Sequence, residues 1–187
     1  MSLLTVLAAG NAVAGPPASC IQEEPFDYRV EAYRAPVPCT LEGARVVSVE
    51  DVVAIKEGGP AVMIDVMPRQ RRPANLPKSR LWLPPPRRNL PGSIWLPNVG
   101  GGVLPVEEEA YFRANLERIT GERPGVKLVF YCLDNCWMSW NAAKRAIEWG
   151  YPDVVWFPGG TDAWRAANLP LEDATPIPDE SIPDESQ

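Results

Sequence analysis

Apolar and polar positions divide the middle of the chain into two kinds of segment. Short, continuous apolar runs bounded by turn residues predict strands buried on both faces of a sheet, at 61–66, 126–131 and 154–157. The segments between and around these runs predict helices over 49–55, 107–120 and 139–149, with a last short helix after 158–160. Strands that alternate with helices predict an α/β domain with a central, mainly parallel sheet and helices on both of its faces.

Two features refine this pattern. Ser48 and the acidic residues after it suit the start of the first helix. Residues 67–91, rich in proline and arginine, predict a long loop, and 92–97 predicts a short strand at an edge of the sheet.

The composition changes at both ends of this region. Residues 15–45 form a proline-rich N-terminal arm, and 46–171 form the α/β domain. Residues 172–187 are acidic, contain a near repeat and have little to bury, so we expect a disordered, flexible tail.

Residues 1–14 resemble a secretory signal peptide. An apolar run over 3–9 precedes small residues in the spacing that signal peptidase accepts, although no Lys or Arg comes before Arg29. The run is shorter than the roughly 20 apolar residues that cross a bilayer, so we expect no membrane span. We expect export to the periplasm; the alternative is an N-terminal strand buried in the domain.

Cys20 and Cys39 bracket a part of the arm that lacks the periodicity to hold itself in place. A disulfide between them would close a loop of roughly 20 residues and stabilise the fold by about 3 kcal/mol in the chain-entropy model. Such bonds persist in the periplasm and not in the cytosol, so this structural disulfide agrees with export. The alternative is two unpaired thiols.

The composition excludes several kinds of site and partner. The chain has no histidine, which removes Ser-His-Asp triads, Cys-His pairs and histidine-ligated metals. Two thiols alone under-ligate a metal ion, so we expect neither a metal nor another cofactor. A net charge of -6 argues against nucleic acid as a partner, because phosphate backbones are bound by clustered Lys and Arg.

Cys132 directly follows the predicted strand 126–131 and lies just before the predicted helix 139–149. Ligands of parallel sheets gather at the carboxyl ends of strands, and the N–H groups at a helix start lower a thiol pKa. We therefore expect Cys132 to be a reactive thiolate that needs no base, with Asp134 opposing this by raising the thiol pKa. The alternative is a buried, inert thiol.

Five motifs, in their order and spacing, resemble a rhodanese-like domain over about 46–170. They are Ile64-Asp65-Val66, residues 90–97, Val129 to Cys132, Asn141-Ala142-Ala143 and residues 157–164. Within that superfamily, Cys132 to Trp140 is similar to the group named for a CXXCW motif and associated with PQQ-dependent alcohol catabolism. The resemblance implies a three-layer α/β fold and a Cys132 that accepts sulfane sulfur as a persulfide and passes it to a thiophilic acceptor.

The loop differs from the family pattern in its charge. Leu133, Trp137 and Met138 stand where a sulfurtransferase loop usually has a basic residue. Met138 also stands where related phosphatases need an arginine, which argues against phosphatase activity. Arginines of the long loop could restore the positive charge or could equally be solvated: Arg69, Arg71, Arg72, Arg87 and Arg88.

Cys136 is the second departure, because three residues separate it from Cys132 instead of the two in the family name. The two sulfurs could reach disulfide range across a tight turn or helix start, so thiolate attack, disulfide closure and exchange are all open. The alternative for Cys136 is packing against Trp137. Trp137 and Trp140 are expected to flank the site as an apolar wall or a partner surface.

We expect Cys132 and Cys136 to be catalytic and the neighbouring loop residues to contact a small sulfur or thiol substrate. These neighbours are Leu133, Asp134, Asn135, Trp137, Met138 and Ser139. The first hypothesis is thiol redox or sulfur transfer in support of periplasmic PQQ-dependent alcohol oxidation. The second is a non-catalytic binding module for a PQQ-dependent dehydrogenase or a cytochrome c partner. The third is thiosulfate sulfurtransferase activity, of which the missing basic residue leads us to expect little.

Overall fold

A computed structural model describes residues 20–77, 79–123 and 125–178. The predicted signal peptide and the last part of the acidic tail lie outside these residues. Within the described residues, the elements follow in the order β1 (Arg45–Val46), α1 (Val49–Gly58), β2 (Ala61–Asp65), β3 (Arg87–Asn89), β4 (Ile94–Trp95), α2 (Val106–Glu122), β5 (Lys127–Tyr131), α3 (Trp137–Glu148), β6 (Val154–Phe157), α4 (Gly160–Ala166) and β7 (Glu172–Ala174). No helix in this part of the chain is long and apolar enough to cross a membrane.

The central sheet has five strands in the order β1-β6-β5-β2-β4, and all of its neighbouring strands are parallel. Strand β5 lies in the middle, with Phe130 beside Ile64 of β2 and Trp156 of β6. The predicted α/β fold with a mainly parallel sheet is confirmed. The short strand predicted over 92–97 is β4, at the edge of the sheet.

Helices cover both faces of the sheet, which explains why its strands are continuous apolar runs. Successive side chains of a strand point to opposite faces. Leu128 and Phe130 therefore pack in the core with α2 and α3, whereas Val129 and Tyr131 pack in the core with α1 and α4. The result is the three-layer arrangement that was expected.

Helix α1 begins where the sequence indicates. The Ser48 hydroxyl accepts the backbone N–H of Asp51, and the Asp51 carboxylate accepts the backbone N–H of Ser48, which forms a capping box. Helix α3 begins at Trp137, two residues before the predicted start, with Cys136 as its N-cap residue and no side-chain cap. The early start was not visible in the sequence because no Ser, Thr, Asp or Asn marks it.

The prediction of a disordered tail from residue 172 is wrong for 172–178. Strand β7 pairs in an antiparallel ladder with β3, inside the segment predicted to be a loop. Farther on, the Ile177 N–H donates to the Trp95 carbonyl, and its own carbonyl accepts the Tyr111 hydroxyl at 2.9 Å. The tail is held by backbone pairing and by the Glu172 and Asp173 carboxylates, and its acidic and proline-rich composition did not indicate these contacts.

The arm before β1 packs against the domain. Val37 and Leu41 are both 2% exposed and belong to the core on the side of α2 and α3. Cys20 and Cys39 are joined in a disulfide, and their Cα atoms are 4.9 Å apart. The arm therefore shares the core of the domain predicted to begin at residue 46.

Candidate active site

A tight loop carries both free cysteines. Strand β5 ends at Tyr131, Cys132 follows it, and Cys136 is the N-cap residue of α3. Asn135 has a φ of 51°, in the left-handed region that asparagine adopts more readily than most residues. This turn brings the Sγ atoms of Cys132 and Cys136 to 2.8 Å, which is longer than the roughly 2.0 Å of a disulfide bond but within reach of a hydrogen bond between the thiols.

Contacts to its backbone hold Cys132 in place. The Cys132 carbonyl accepts the Thr161 N–H at 3.1 Å and the Arg87 guanidinium at 3.4 Å. Gly160, with a φ of 50°, permits this contact, because a Cβ there would lie 2.5 Å from the same carbonyl oxygen. The Cys132 sulfur lies 3.5 Å from the Met67 sulfur.

A buried ion pair lies beside Cys132. Asp65, at the end of β2, is fully buried, and its carboxylate accepts hydrogen bonds from Arg87 Nε at 2.7 Å and from the Met67 N–H at 2.9 Å. Burial raises the pKa of Asp65, while the hydrogen bond and charge of Arg87 oppose that rise. A carboxylate inside an apolar run signals a buried partner, but the sequence did not single out Arg87 as that partner.

Arg87 is the long-loop arginine with a hydrogen bond to the cysteine loop. Arg71 pairs with Glu108 and Arg88 pairs with Asp173 at the surface, whereas Arg72 donates to backbone carbonyls of its own loop. Arg87 therefore brings positive charge to the cysteine loop, whereas Arg71, Arg72 and Arg88 have partners elsewhere. A second cation acts from the arm, because the charge of Arg34 contributes to lowering the pKa of Cys136.

The two thiols differ in pKa. The hydrogen bond between the sulfurs, helped by backbone N–H groups of Met138 and Leu133, lowers the pKa of Cys136 to about 7 despite its burial. The same hydrogen bond, together with burial and the charges of Cys136 and Asp65, raises the pKa of Cys132 well above its ordinary value. These directions favour Cys136 as the thiolate, whereas the sequence pointed to Cys132. Because α3 starts at Trp137, Cys136 lies at the helix N-terminus.

The rate of alkylation at Cys136 is expected to rise with pH and level off above pH 8. A group with a pKa of about 7 gains about tenfold in thiolate between pH 6 and pH 8 and little beyond. An ordinary thiol with a pKa of about 8.5 would keep gaining thiolate above pH 8. Iodoacetamide labelling at a series of pH values, quantified on the Cys136 peptide, measures this profile. A rate still rising steeply at pH 9 would contradict the assignment.

The aromatic residues after Cys136 are buried. Trp137 is 3% exposed and Trp140 is fully buried, and their ring centroids lie 5.4 Å apart. Trp140 lies in the core, whereas Trp137 lines a pocket together with residues of the arm, so neither ring is an exposed partner surface. Each indole N–H is used inside the fold. Trp137 donates to the Pro36 carbonyl and Trp140 to the Thr40 carbonyl, both in the arm.

Ser139 and Met138 support the start of α3. The Ser139 hydroxyl is buried, donates to the Cys136 carbonyl at 3.1 Å and accepts the Trp156 indole N–H at 3.0 Å. These contacts hold the N-cap residue to the sheet. Met138 is half-buried, and its backbone N–H is one of the groups that lower the pKa of Cys136.

The three residues between the cysteines are half-buried. The Asp134 N–H donates to the Asp162 carboxylate at 3.1 Å, and the Asp134 carboxylate accepts the Asn135 side-chain amide at 2.8 Å. The carboxylate that raises the pKa of Cys132 is Asp65, whereas the sequence suggested Asp134. Leu133 contributes its backbone N–H to Cys136.

The arm crosses this loop. The Trp137 N–H donates to the Tyr33 carbonyl at 2.9 Å, and the Ala35 N–H donates to the Asn135 carbonyl at 3.2 Å. Arg34 lies between them in a β-bridge with Cys136. The sequence did not indicate this contact, since it joins backbone groups about a hundred residues apart.

The chemistry of the site is that of a dithiol. Cys132 is fully buried and Cys136 is 3% exposed. In the described residues, no group of three or more His, Cys, Asp or Glu side chains could hold a metal ion. The arrangement supplies one stabilised thiolate and one adjacent thiol that could close a disulfide with it.

Comparison with known proteins places the chain in a family. The sequence model of the rhodanese-like domain matches residues 48–167. No curated protein sequence matches the chain.

Several solved structures match part of the chain. A thiosulfate sulfurtransferase from Pseudomonas aeruginosa is 16% identical with a TM-score of 0.48, and the match covers 71% of this chain and 21% of that one, so this chain spans about a fifth of its length. A polysulfide-sulfur transferase homodimer from Wolinella succinogenes is 19% identical with a TM-score of 0.43, covering 71% and 81%. A Rhodopseudomonas palustris protein of unknown function, named a possible tyrosine phosphatase, is 22% identical with a TM-score of 0.41, covering 69% and 85%. On the match over residues 48–167, the chain belongs to the rhodanese-like domain family.

Proposed function

We propose that the cysteine pair performs thiol exchange on a small sulfane-sulfur or disulfide substrate. Cys136 is the attacking thiolate and Cys132 the resolving thiol. The observation that carries this proposal is the 2.8 Å separation of the two sulfurs at the start of α3. A thiolate stabilised by a helix N-terminus needs no base, which suits a chain without histidine.

The first step transfers sulfur to Cys136. The Cys136 thiolate attacks the outer sulfur of a donor such as thiosulfate, the donor S–S bond breaks, and sulfite leaves with the electron pair. Cys136 then carries a persulfide. With a disulfide donor, the same attack gives a mixed disulfide on Cys136 and releases one donor thiolate.

The second step follows from the position of Cys132. Its sulfur attacks Cys136 Sγ, the outer sulfur leaves as hydrosulfide with the thiol proton of Cys132, and a Cys132–Cys136 disulfide forms. The two cysteines are oxidised and the transferred sulfur is reduced. A dithiol that is itself oxidised to a disulfide returns the pair to two thiols.

This sequence of steps distinguishes the proposal from simple sulfurtransferase activity. A persulfide on Cys136 would be resolved by its neighbour before it met an outside acceptor. Sulfide and an oxidised protein are therefore the expected products, in place of sulfur passed to cyanide.

Single-turnover mass spectrometry tests the proposal. The protein, reduced with dithiothreitol and then desalted, is expected to release about one sulfide per chain on mixing with thiosulfate, because one pair resolves one persulfide. The tryptic peptide that carries both Cys132 and Cys136 should then have lost the mass of two hydrogen atoms. Peptide mapping separates this bond from Cys20–Cys39. Thiols unchanged after mixing would overturn the proposal.

The alternative of a non-catalytic binding module is favoured by one observation, the burial of both sulfurs. A module of this kind would hold a PQQ-dependent dehydrogenase or a cytochrome c without using its thiols. Release of sulfide in the experiment above would contradict it.

We further propose that this chemistry takes place in the periplasm, in support of PQQ-dependent alcohol oxidation. Export is supported by the Cys20–Cys39 disulfide, since such bonds persist in oxidising compartments, and by the signal-like segment at 1–14. The PQQ connection is supported by the similarity of residues 132–140 to the CXXCW group. A dithiol reductant in the periplasm would be needed to reduce the Cys132–Cys136 disulfide back to two thiols.

A further inference from the structure

The arm is a closed loop of chain. The Cys20–Cys39 disulfide joins its ends, with a sequence separation of 19. Two backbone hydrogen bonds lie beside the disulfide, from the Ile21 N–H to the Val37 carbonyl and from the Cys39 N–H to the Ile21 carbonyl, each at 2.9 Å. The segment between the two cysteines is therefore tied at its base.

The middle of this loop lies across the cysteine pair. Tyr33 and Ala35 form backbone hydrogen bonds with Trp137 and Asn135, on either side of the bridge to Cys136. These partners are the turn of the cysteine loop and the first residue of α3. The arm thus adds a short piece of backbone pairing directly over the proposed nucleophile.

A second set of contacts fastens the arm to α3 and to the glycine turn before α2. The Asn141 side chain accepts the Arg29 N–H at 3.0 Å and donates to the Arg29 carbonyl at 2.8 Å. The Tyr33 hydroxyl accepts the Gly102 N–H at 3.1 Å. The Tyr28 hydroxyl donates to the Glu148 carboxylate.

These contacts close the site. Cys136 is 3% exposed and Cys132 is fully buried, yet a thiolate must approach a donor sulfur along the S–S axis to displace the leaving group. Asp65, Met67 and Gly160 lie near Cys132 and belong to the domain itself. The arm covers the cysteine loop, and residues 21–36 of it include no buried side chain, unlike Val37, Cys39 and Leu41 in the core, so this part is the element able to open locally.

We propose that the arm is a lid over the Cys132–Cys136 pair, held shut by the Cys20–Cys39 disulfide and released when a dithiol reduces that bond. This regulation rests on the proposed function of the pair. One thiolate of the dithiol attacks Cys20, which is half-exposed, and Cys39 leaves as a thiolate that takes up a proton. The second thiol of the dithiol then closes its own disulfide and frees the Cys20 thiol.

The disulfide disfavours opening because it limits the conformational entropy of the open arm. While the bond is intact, the segment that leaves the cysteine loop remains tethered at both ends and gains little conformational entropy. When the bond is broken, residues 21–38 gain the freedom of an unclosed loop, and opening becomes more favourable. The same dithiol that resets the cysteine pair would then also uncover it.

The rate at which iodoacetamide labels Cys136 tests the lid. All variants carry Cys132→Ser in the full chain, so that Cys136 cannot close a disulfide with its neighbour. Adding Cys20→Ser and Cys39→Ser is expected to raise the labelling rate about tenfold or more. The dithiothreitol-treated parent, desalted before labelling, should match that variant. Tyr33→Phe, which keeps the disulfide but loses the bond to Gly102, should raise the rate a few-fold.

A core substitution supplies the matched control. Ile119→Val shortens a buried side chain of α2, away from the arm contacts, and should leave the labelling rate within about twofold of the parent because the lid is untouched. Equal rates in the parent, the serine variant and the reduced parent would overturn the lid, as would an equal acceleration by Ile119→Val. If the serine variant does not fold by circular dichroism, the reduced parent and Tyr33→Phe decide the question.

The labelling readout also separates the lid from the proposed function. The lid would be supported and the thiol exchange contradicted by one combination of results. In it, Cys136 labels faster when the arm is released, but the wild-type chain forms neither sulfide nor a Cys132–Cys136 bond. An unchanged labelling rate of Cys136 together with sulfide release would contradict the lid and support the thiol exchange.

Discussion

Cys136→Ser is expected to lower sulfide release from thiosulfate at least about 100-fold, because it removes the thiol that the start of α3 holds as a thiolate near neutral pH. Cys132→Ser is expected to have a different effect. The first transfer proceeds, the chain gains the mass of one sulfur atom on Cys136, and no sulfide is released. Intact mass spectra of the two reduced variants after mixing with thiosulfate distinguish these outcomes.

The physical basis of this asymmetry is the start of α3. Cys136 receives backbone N–H groups from Met138 and Leu133, whereas Cys132 is close to the Asp65 carboxylate and the sulfur of Met67. Negative charge is therefore better accommodated on Cys136. When Cys136 takes up sulfur, the thiolate that raised the pKa of Cys132 is consumed, and Cys132 can resolve the adduct.

Serine matches cysteine closely in size, so both variants are expected to keep the fold, which circular dichroism checks. The double variant Cys20→Ser/Cys39→Ser serves as the control, since it also removes two sulfurs but leaves the reacting pair in place and should still release sulfide. The opposite pattern, with sulfur trapped on Cys132 in the Cys136→Ser chain, would contradict the assigned roles. It would restore the role that the family resemblance implied for Cys132.

Arg87→Leu is expected to destabilise the fold by about 3–5 kcal/mol at neutral pH, because it leaves the buried Asp65 carboxylate without its cation. Arg88→Leu is the matched control in the neighbouring position. Its side chain is 60% exposed and its partner Asp173 is 93% exposed, so its loss should cost less than about 1 kcal/mol. Urea unfolding of the two variants, followed by tryptophan fluorescence, measures the difference.

The pH dependence of the Arg87→Leu variant follows from the pKa of Asp65. Burial raises that pKa in the folded state, and the loss of Arg87 raises it further. A folded-state pKa above the unfolded value means that the folded chain binds more protons, so the stability falls as pH rises between the two values. The deficit relative to wild type should therefore shrink towards pH 4. A deficit that grows on acidification, or equal effects of Arg87→Leu and Arg88→Leu, would contradict the role of the buried pair.

Much of the architecture could be predicted from local patterns. The apolar runs of β2, β5 and β6 are continuous because helices cover both faces of the sheet. Burial on both faces can therefore be predicted from the sequence. Cys132 at the carboxyl end of β5 was predictable for the same reason. Ser48 and Asp51 marked the start of α1 through a capping box that lies within four residues.

The details of the site were less predictable. The start of α3 two residues earlier than expected moved the helix N-terminus to Cys136, which lowers the pKa of Cys136 and favours it over Cys132 as the thiolate. Arg87 could not be distinguished from its neighbouring arginines, since the choice depends on where a long loop passes the end of β2. The tail that was expected to be disordered pairs with β3 through backbone atoms, which any residue except proline supplies in full.

The sequence by itself determined the layers of the fold, the loop that carries the cysteines and the exclusion of imidazole chemistry, because periodicity, turn residues and composition are local properties. Only the tertiary structure decided where α3 starts beside the cysteines, which arginine neutralises Asp65 and that the arm crosses the cysteine loop. The last two depend on groups far apart in the chain that meet within a few ångströms. Electrostatic and hydrogen-bond energies fall steeply over such distances, so they are settled by packing and not by spacing along the sequence.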